Sequence, residues 1–387
     1  MKLKKMLNVL LVSAVLVSMT ACGGETESSS DGGEKASAGG SDTITIGASL
    51  PMTGSVALNG EMILEGIQIA VDECNEAGGI DGKEVVIDAQ DDQAEPNQAA
   101  SVANMMSADE KIVAIIGSLK SSCTLAAAPI YEEAGVVALS PDSSSPEVTN
   151  AGEYIFRIKN SDVVLAQTMA KGAISDGHTK FAILYENNDY GAGVLEQSQI
   201  AIEEAGCEIV CTESILTGEQ TDFSSIISKI RESGADAILM GVDYNESGLV
   251  MKQMKDAGLD LPRYATDGLF TDAFIEVGGE AADGTTVLTS FITSDQSENV
   301  QNFIKKYQEK YDGEMPSIFQ AEGYDCGKIV IEAIENAGTD RKAIRDYMAT
   351  MSYQGVTGDC TFDENGDVNI PLKRCIVEEG EFVLLEE

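Results

Sequence analysis

Serine and threonine hydroxyls are concentrated in two loops, each of which follows a predicted strand. Residues 117–124 (GSLKSSCT) lie between a strand and a helix, and residues 140–146 (SPDSSSP) follow the next strand. Hydroxyls at the start of a helix are usually N-caps, which is one interpretation of the pattern. Hydroxyls and free amides at a helix N-terminus can also donate hydrogen bonds to a carboxylate, so the two loops together could bind one anion from two sides.

Acidic residues follow three predicted strands later in the chain. Asp189 and Asp243 come shortly after strands that we predict to end at Tyr185 and Gly241, and Asp267 directly follows a third strand. Any of these carboxylates could be the partner of an ammonium group. Asp before Gly is also ordinary turn chemistry, so both interpretations stay open for each acid.

Motifs for catalysis and for cofactor binding are missing from the sequence. The loop after the first predicted strand, residues 51–60 (PMTGSVALNG), matches neither a dinucleotide-binding nor a phosphate-binding glycine loop. There is no nucleophile elbow, and the single histidine, His178, lies in a predicted turn. We therefore predict no catalytic residue, no cofactor and no metal site, and an enzyme is the weakest candidate.

The chain is strongly acidic, with 25 Lys and Arg residues against 65 Asp and Glu residues and a formal net charge of -40. A surface with this charge repels nucleic acid and anionic lipid headgroups through its long-range field. We therefore expect no nucleic-acid partner. Eight cysteines are present, and we expect most of them to be buried thiols that act as small apolar residues.

The N-terminal segment has the features of an export signal. Three lysines among residues 2–5 precede an uncharged apolar stretch, residues 6–19, that is shorter than a typical transmembrane helix. The residues that follow resemble a lipobox, which predicts a lipoprotein signal peptide over 1–21 and a diacylglycerol on Cys22. A simple secretory signal with a chance cysteine is the alternative. Residues 22–42 are rich in Gly, Ser and acid and predict a flexible tether, so we expect an extracytoplasmic chain that lipid anchors to the cell membrane.

Strands and helices alternate from residue 43 onward, in one series that reaches residue 140 and a second that starts near residue 161. Regular alternation predicts parallel sheets with helices on both faces. Two series of similar length therefore predict an α/β fold with two doubly wound lobes. In such lobes ligands bind beyond the carboxyl ends of the strands, where the hydroxyl-rich and acidic loops lie.

Four stretches of the sequence resemble the leucine/isoleucine/valine-binding protein family, the type I solute-binding proteins of branched-chain amino acid ABC importers. The stretches are IGASLPMTGSVALNGEMILEGIQIAVDECNEAGGIDG, IIGSLKSSCTLAAAPIYEEAGVVALSPDSSSPEVT, ENNDYGAGV and GLDLPRYATDG. The resemblance implies a type I periplasmic-binding-protein fold, in which two parallel-sheet lobes are joined by a three-crossing hinge near residues 160, 290 and 356. It implies lobe 1 at 43–160 plus 292–355 and lobe 2 at 161–291 plus 356–387.

The same resemblance implies roles for individual residues. Ser121 and Ser144 would hold a ligand carboxylate, Asp267 would meet the ammonium group, and Tyr190 would close over the ligand from the second lobe. The complete predicted ligand-binding set is Asn59, Ser121, Asp142, Ser143, Ser144, Tyr190, Asp243, Asp267 and Tyr324.

The sequence departs from the pattern of branched-chain binders at three of the loop positions. Asn59 stands where those proteins often have an aromatic ring, Asp142 where they usually have a small residue, and Lys120 where some have a disulfide cysteine. An added acid in a closed cleft would favour a cation, which suggests a polar or basic ligand side chain. A Lys120–Asp142 ion pair that neutralises the added charge is an equally open alternative.

The function predicted from these observations is an extracytoplasmic solute-binding lipoprotein of an ABC importer, which binds an amino acid between two closing lobes and delivers it to permease subunits. Two alternatives stay open. The same fold could bind an amide, a urea-like compound, an aromatic acid or a short peptide. The chain could also be a surface sensor that passes its ligand state to a receptor.

Overall fold

The computed structural model of the chain describes residues 43–385. The predicted signal peptide, the predicted tether and Cys22 lie outside the described residues. Within residues 43–385, no helix is both long enough and apolar enough to cross a membrane.

Fourteen strands and eleven α-helices make up the described part of the chain. The strands are β1 (Ile44–Leu50), β2 (Val85–Asp91), β3 (Ile112–Gly117), β4 (Ala138–Ser140), β5 (Ile155–Arg157), β6 (Lys180–Glu186), β7 (Glu208–Ile215), β8 (Ala237–Gly241), β9 (Arg263–Ala265), β10 (Thr285–Thr289), β11 (Ser352–Gln354), β12 (Asp359–Thr361), β13 (Lys373–Glu378) and β14 (Glu381–Leu384). The helices are α1 (Ala57–Glu76), α2 (Pro96–Ala108), α3 (Ser121–Ala134), α4 (Asp162–Ser175), α5 (Asp189–Glu204), α6 (Ser224–Ser233), α7 (Tyr244–Asp256), α8 (Asp272–Gly278), α9 (Glu298–Lys310), α10 (Ile318–Ala337) and α11 (Arg341–Met348).

The first sheet has five parallel strands in the order β2-β1-β3-β4-β5. Its central strands β1 and β3 are buried along almost their whole length, as expected for parallel strands covered by helices on both faces. Helix α10 returns from late in the sequence and packs closely along α1. The close approach requires glycine, because a Cβ at Gly66 would lie 2.0 Å from the carbonyl oxygen of Gln320.

The second sheet has seven strands in the order β14-β13-β10-β9-β8-β6-β7. The strands from β6 to β10 are mutually parallel, and the C-terminal hairpin β13–β14 joins the edge of β10 antiparallel. This sheet therefore combines strands from the middle of the chain with two strands from its end. The predicted discontinuous lobes have the same kind of organisation.

Residues 359–370 lie against the first sheet before the chain enters the second. The amide of Arg157 donates to the carbonyl of Gly366, and the side chain of Asn160 both donates to and accepts from the backbone of Ile370, at 2.7 and 2.8 Å. The lobe boundary at residue 356 stays a prediction, and these contacts favour a third crossing near residue 371.

The seven cysteines of the described residues are all free thiols. Cys360 lies in β12 and Cys375 in β13, which belong to different sheets, so these two residues do not face one another across a hairpin. Five of the seven are buried, as the sequence predicted, and Cys207 and Cys211 are partly exposed.

Candidate ligand-binding site

A narrow cleft lies where the carboxyl ends of both sheets meet. The residues that line it are Asn59, Leu119, Lys120, Ser121, Asp142, Ser144, Lys159, Tyr190, Asp243, Thr266, Asp267, Gly268 and Phe319. Most of them come from loops that follow strands of the two sheets, which is where ligands bind in doubly wound folds.

Seven of the nine residues in the predicted ligand-binding set line this cleft. They are Asn59, Ser121, Asp142, Ser144, Tyr190, Asp243 and Asp267. Residues from both halves of the chain are therefore brought together around one space.

The hydroxyl of Ser121 connects the two hydroxyl-rich loops. Its oxygen accepts hydrogen bonds from the amides of Ser144 and Ser145, at 3.2 and 3.1 Å. The N-cap position of α3 is occupied by Lys120, which makes no side-chain cap, so the serines here are not the N-cap of that helix. The hydroxyl proton of Ser121 stays available as a donor beside the positive end of the helix dipole. This end of the cleft is suited to an anion.

Ser143 does not line the cleft, although it belongs to the predicted set. Its hydroxyl donates to the carbonyl of Leu119 at 3.1 Å and lies 2.8 Å from the hydroxyl of Thr124. Its amide donates to the hydroxyl of Ser140 at 3.0 Å. Because of these hydrogen bonds, the side chain of Ser143 points into the loop, where it stabilises the loop conformation.

Tyr324 also lies outside the cleft. Its hydroxyl donates to Glu73 at 3.1 Å, and its ring packs 4.8 Å from the ring of Phe303. Helix α10 presents Phe319 to the cleft instead. Five residues farther along, at about 100° per residue, the helix has turned Tyr324 to a different face.

Lys159, which the sequence analysis did not select, lies at the centre of three carboxylates. Its ammonium nitrogen is 2.5 Å from Asp142, 3.0 Å from Asp267 and 3.1 Å from Glu322. Burial opposes the charge on Lys159, but attraction to the three acids outweighs it and raises the pKa of this ammonium well above its usual value. Burial also raises the pKa of Asp142 and of Glu322, because one lysine cannot neutralise three carboxylates.

Lys120 forms the second ion-pair cluster and reaches across the cleft. Its ammonium nitrogen lies 3.1 Å from Glu186, at the end of β6, and contacts Asp243, after β8. The suggested Lys120–Asp142 pair is therefore wrong: the side chain of Lys120 extends to the second sheet, and Asp142 is paired with Lys159 instead. Burial raises the pKa of Asp243, whereas Lys120 and the amide of Asp243 overcome burial and hold the pKa of Glu186 at about 2.

Two buried acceptors in the cleft lack donors. Asn59 and Asp267 are each 2% exposed, and the Oδ1 atom of each accepts no hydrogen bond from any of the residues 43–385. Tyr190 is engaged differently, since its hydroxyl lies 2.7 Å from the hydroxyl of Thr266 and its ring lies 5.7 Å from the ammonium nitrogen of Lys120. The cleft therefore offers free acceptors next to an anion-binding end.

Residues 43–373 match the family model described as periplasmic binding protein, and the chain belongs to this family of solute-binding proteins. Its fold is the type I periplasmic-binding-protein fold, as the sequence predicted.

Two curated relatives show which members of the family are similar. The Leu/Ile/Val-binding protein homolog 1 of Brucella suis is 30% identical over 335 residues, which is 85% of this chain and 88% of the relative. The leucine-, isoleucine-, valine-, threonine- and alanine-binding protein of Pseudomonas aeruginosa is 29% identical over 332 residues, covering 84% of this chain and 87% of that protein.

Two solved structures with the same fold are similar to this chain. The substrate-binding protein of a Streptococcus pneumoniae branched-chain amino acid transporter, in complex with isoleucine, has a TM-score of 0.82 and 29% identity, and the match covers 89% of this chain and 99% of that chain. A leucine-binding protein of Thermotoga maritima has a TM-score of 0.83 and 31% identity, over 89% and 98% of the two chains.

Proposed function

We propose that this chain is an extracytoplasmic lipoprotein that binds an α-amino acid between two lobes and delivers it to the permease of an ABC importer. The similar proteins are named for binding leucine, isoleucine, valine, threonine or alanine, and these names support an amino acid as the ligand. Closure of the lobes on the solute would be a hinge motion about the three crossings.

The observation that carries the proposal is the pairing of an anion site with a free carboxylate oxygen in one cleft. Ser121, Ser144 and the start of α3 are suited to an α-carboxylate. Asp267, whose Oδ1 atom accepts no hydrogen bond from the described residues, is suited to an α-ammonium group. A zwitterion matches both ends at once.

Calorimetry with the common amino acids tests the proposal, using the chain from residue 23 onward, which contains every described residue. We expect at least one amino acid to bind. The variant Asp267→Ala should weaken that binding by about 2–5 kcal/mol, the usual loss when a buried charge loses its partner.

The matched control is Asp272→Ala, which removes an exposed carboxylate of α8, five positions along the chain, and should leave affinity unchanged. A correctly folded protein that binds no amino acid, or that binds a simple aromatic acid such as benzoate instead, would contradict the proposal.

The lipid anchor is part of the proposal and rests on the sequence before residue 43. Diacylglycerol on Cys22 would hold the chain at the membrane, with residues 22–42 as the tether. Mass spectrometry of the exported protein should find the lipid on an N-terminal Cys22. An unmodified N-terminus at another residue would contradict it.

A further inference from the structure

We propose that the ligand is a basic amino acid, and that its positively charged side chain is bound by acceptors among the cleft residues Asn59, Asp142 and Asp243. This inference rests on the proposed function and adds the class of amino acid.

The first observation is the balance of charge around the cleft. Two ammonium groups, on Lys120 and Lys159, face five carboxyl groups, which leaves an excess of three acids. The five carboxyl groups belong to Asp142, Glu186, Asp243, Asp267 and Glu322.

Neighbouring groups do not remove this excess. The nearby guanidinium of Arg157 is committed to Asp367, at 2.6 Å. An amino acid with a neutral side chain brings one positive and one negative charge and would leave the excess unchanged. A second positive charge on the ligand would reduce it.

The second observation is the set of buried oxygens that lack donors. Besides Oδ1 of Asp267, the residues that line the cleft or pair with its two lysines include two such atoms, Oδ1 of Asn59 and Oε2 of Glu322, neither of which accepts a hydrogen bond from residues 43–385. Asn59 itself lines the cleft. An ammonium or guanidinium group supplies three or five N–H donors, whereas an aliphatic side chain would leave such acceptors buried and unpaired.

The third observation is the small apolar surface of the cleft. Leu119, Phe319 and the ring of Tyr190 supply most of this surface among the described lining residues, and the rest of the lining is largely charged or polar. These apolar groups are suited to the methylene stem of a basic side chain, whose charged end then meets the acids. An acidic side chain is disfavoured, because both lysines are already paired with carboxylates.

The raised pKa values of Asp142, Asp243 and Glu322 agree with this account. A cation beside these carboxyls would lower their pKa, so binding should release protons into the buffer. A neutral ligand should release far fewer.

Calorimetry with matched pairs of ligands tests the inference on the chain from residue 23 onward. Lysine is compared with norleucine, and arginine with citrulline, because each pair differs mainly in charge; leucine and glutamate complete the set. We expect at least one basic member to bind ten or more times more tightly than its neutral partner. Repeating the titration in buffers of different ionisation enthalpy should show proton release for the basic ligand.

The variants Asp243→Asn and Asp142→Asn should each reduce the preference for the basic ligand over its neutral partner by about tenfold. The control Asp312→Asn removes the same charge from an exposed turn residue with φ of +48°, a conformation that Asn tolerates, and should keep the preference. Thermal melts establish that each variant is folded.

The outcomes separate the two proposals. Equal or tighter binding of norleucine, citrulline, leucine or glutamate overturns the inference of a basic ligand and leaves amino-acid binding intact. Absence of binding by every amino acid overturns both. The comparison of basic and neutral ligands on the wild-type chain decides between these outcomes by itself. The inference is therefore testable even if a variant does not fold.

Discussion

At the scale of single residues, Ser121 combines two tasks. Its hydroxyl oxygen accepts hydrogen bonds from two backbone amides of the neighbouring loop, and its hydroxyl proton remains free to donate to a ligand. We expect Ser121→Ala to weaken amino-acid binding about tenfold, because it removes a donor to the ligand carboxylate and loosens the loop at Ser144. Calorimetry against the same ligand measures the change. Ser101→Ala, an exposed serine of α2, is the control, and equal affinities for the two variants would contradict this role.

The sequence located most of the candidate site but missed its two lysine-centred clusters. Loop position after a strand was enough to find the two hydroxyl-rich loops and Asp267, because the carboxyl ends of parallel strands meet at one edge. The family resemblance then selected Ser121 and Ser144 within those loops. Loop position could not predict that Lys159 reaches Glu322, since 163 positions separate the two residues in the chain. Such a pairing depends on how α10 packs, which local patterns do not encode.

A weaker signal for both missed residues was nevertheless present. Lys159 directly follows the buried apolar residue Ile158, and Glu322 lies on the buried face of α10 among apolar neighbours. A charged side chain is rarely buried without a partner. Each position therefore indicated a buried ion pair, although not which partner it would have.

At the scale of elements, the first residue of α4 is Asp162, whose carboxyl group is buried in an environment that disfavours its charged form. Asp162 follows the N-cap Ser161 and is completely buried. Burial raises its pKa to about 7, even though Ser144 and Arg157 favour the charged form. Because this pKa is higher in the folded than in the unfolded chain, stability is present at low pH and is lost as pH rises from about 4 to about 7.

We therefore expect Asp162→Asn to raise the melting temperature by an amount that depends on pH. The difference from the wild type should be small at pH 4 and should reach several degrees above pH 7, which corresponds to a gain on the order of 2–4 kcal/mol. Melting curves across this pH range measure it. An effect of equal size at every pH would contradict the account of Asp162.

Two short elements, β5 and α8, were not predicted from the sequence. Helix α10, by contrast, has 20 residues, and its apolar positions recur with helical spacing. Strand β5 has only three residues and α8 only seven, so neither is long enough to show a period. Both were therefore missed, and Lys159, which follows β5, was missed with them.

At the scale of the whole molecule, Lys120 connects the two halves of the cleft. Its ammonium contacts Glu186 and Asp243 beyond the second sheet, while its backbone precedes α3 on the first. We expect Lys120→Gln to shift the ligand-free protein toward an open form, since two buried carboxylates would lose their counter-ion and repel closure. Small-angle X-ray scattering should record a larger radius of gyration.

The control for this experiment is Lys229→Gln. Lys229 pairs with Glu213 within the second half of the chain, at 2.8 Å, and its side chain is 55% exposed. Its loss should leave the scattering curve unchanged. If Lys120→Gln gives the same curve as the wild type, the ion pairs across the cleft do not control closure.

A crystal structure with a bound amino acid would test most directly whether the two ends of the cleft recognise one zwitterion. We predict the ligand nitrogen within about 3 Å of the Asp267 carboxylate, and the ligand carboxylate within about 3 Å of the Ser121 and Ser144 hydroxyls. A ligand bound in the reverse orientation would contradict the account. So would a ligand whose nitrogen lies away from Asp267, with Lys159 as the only cation that contacts this carboxylate.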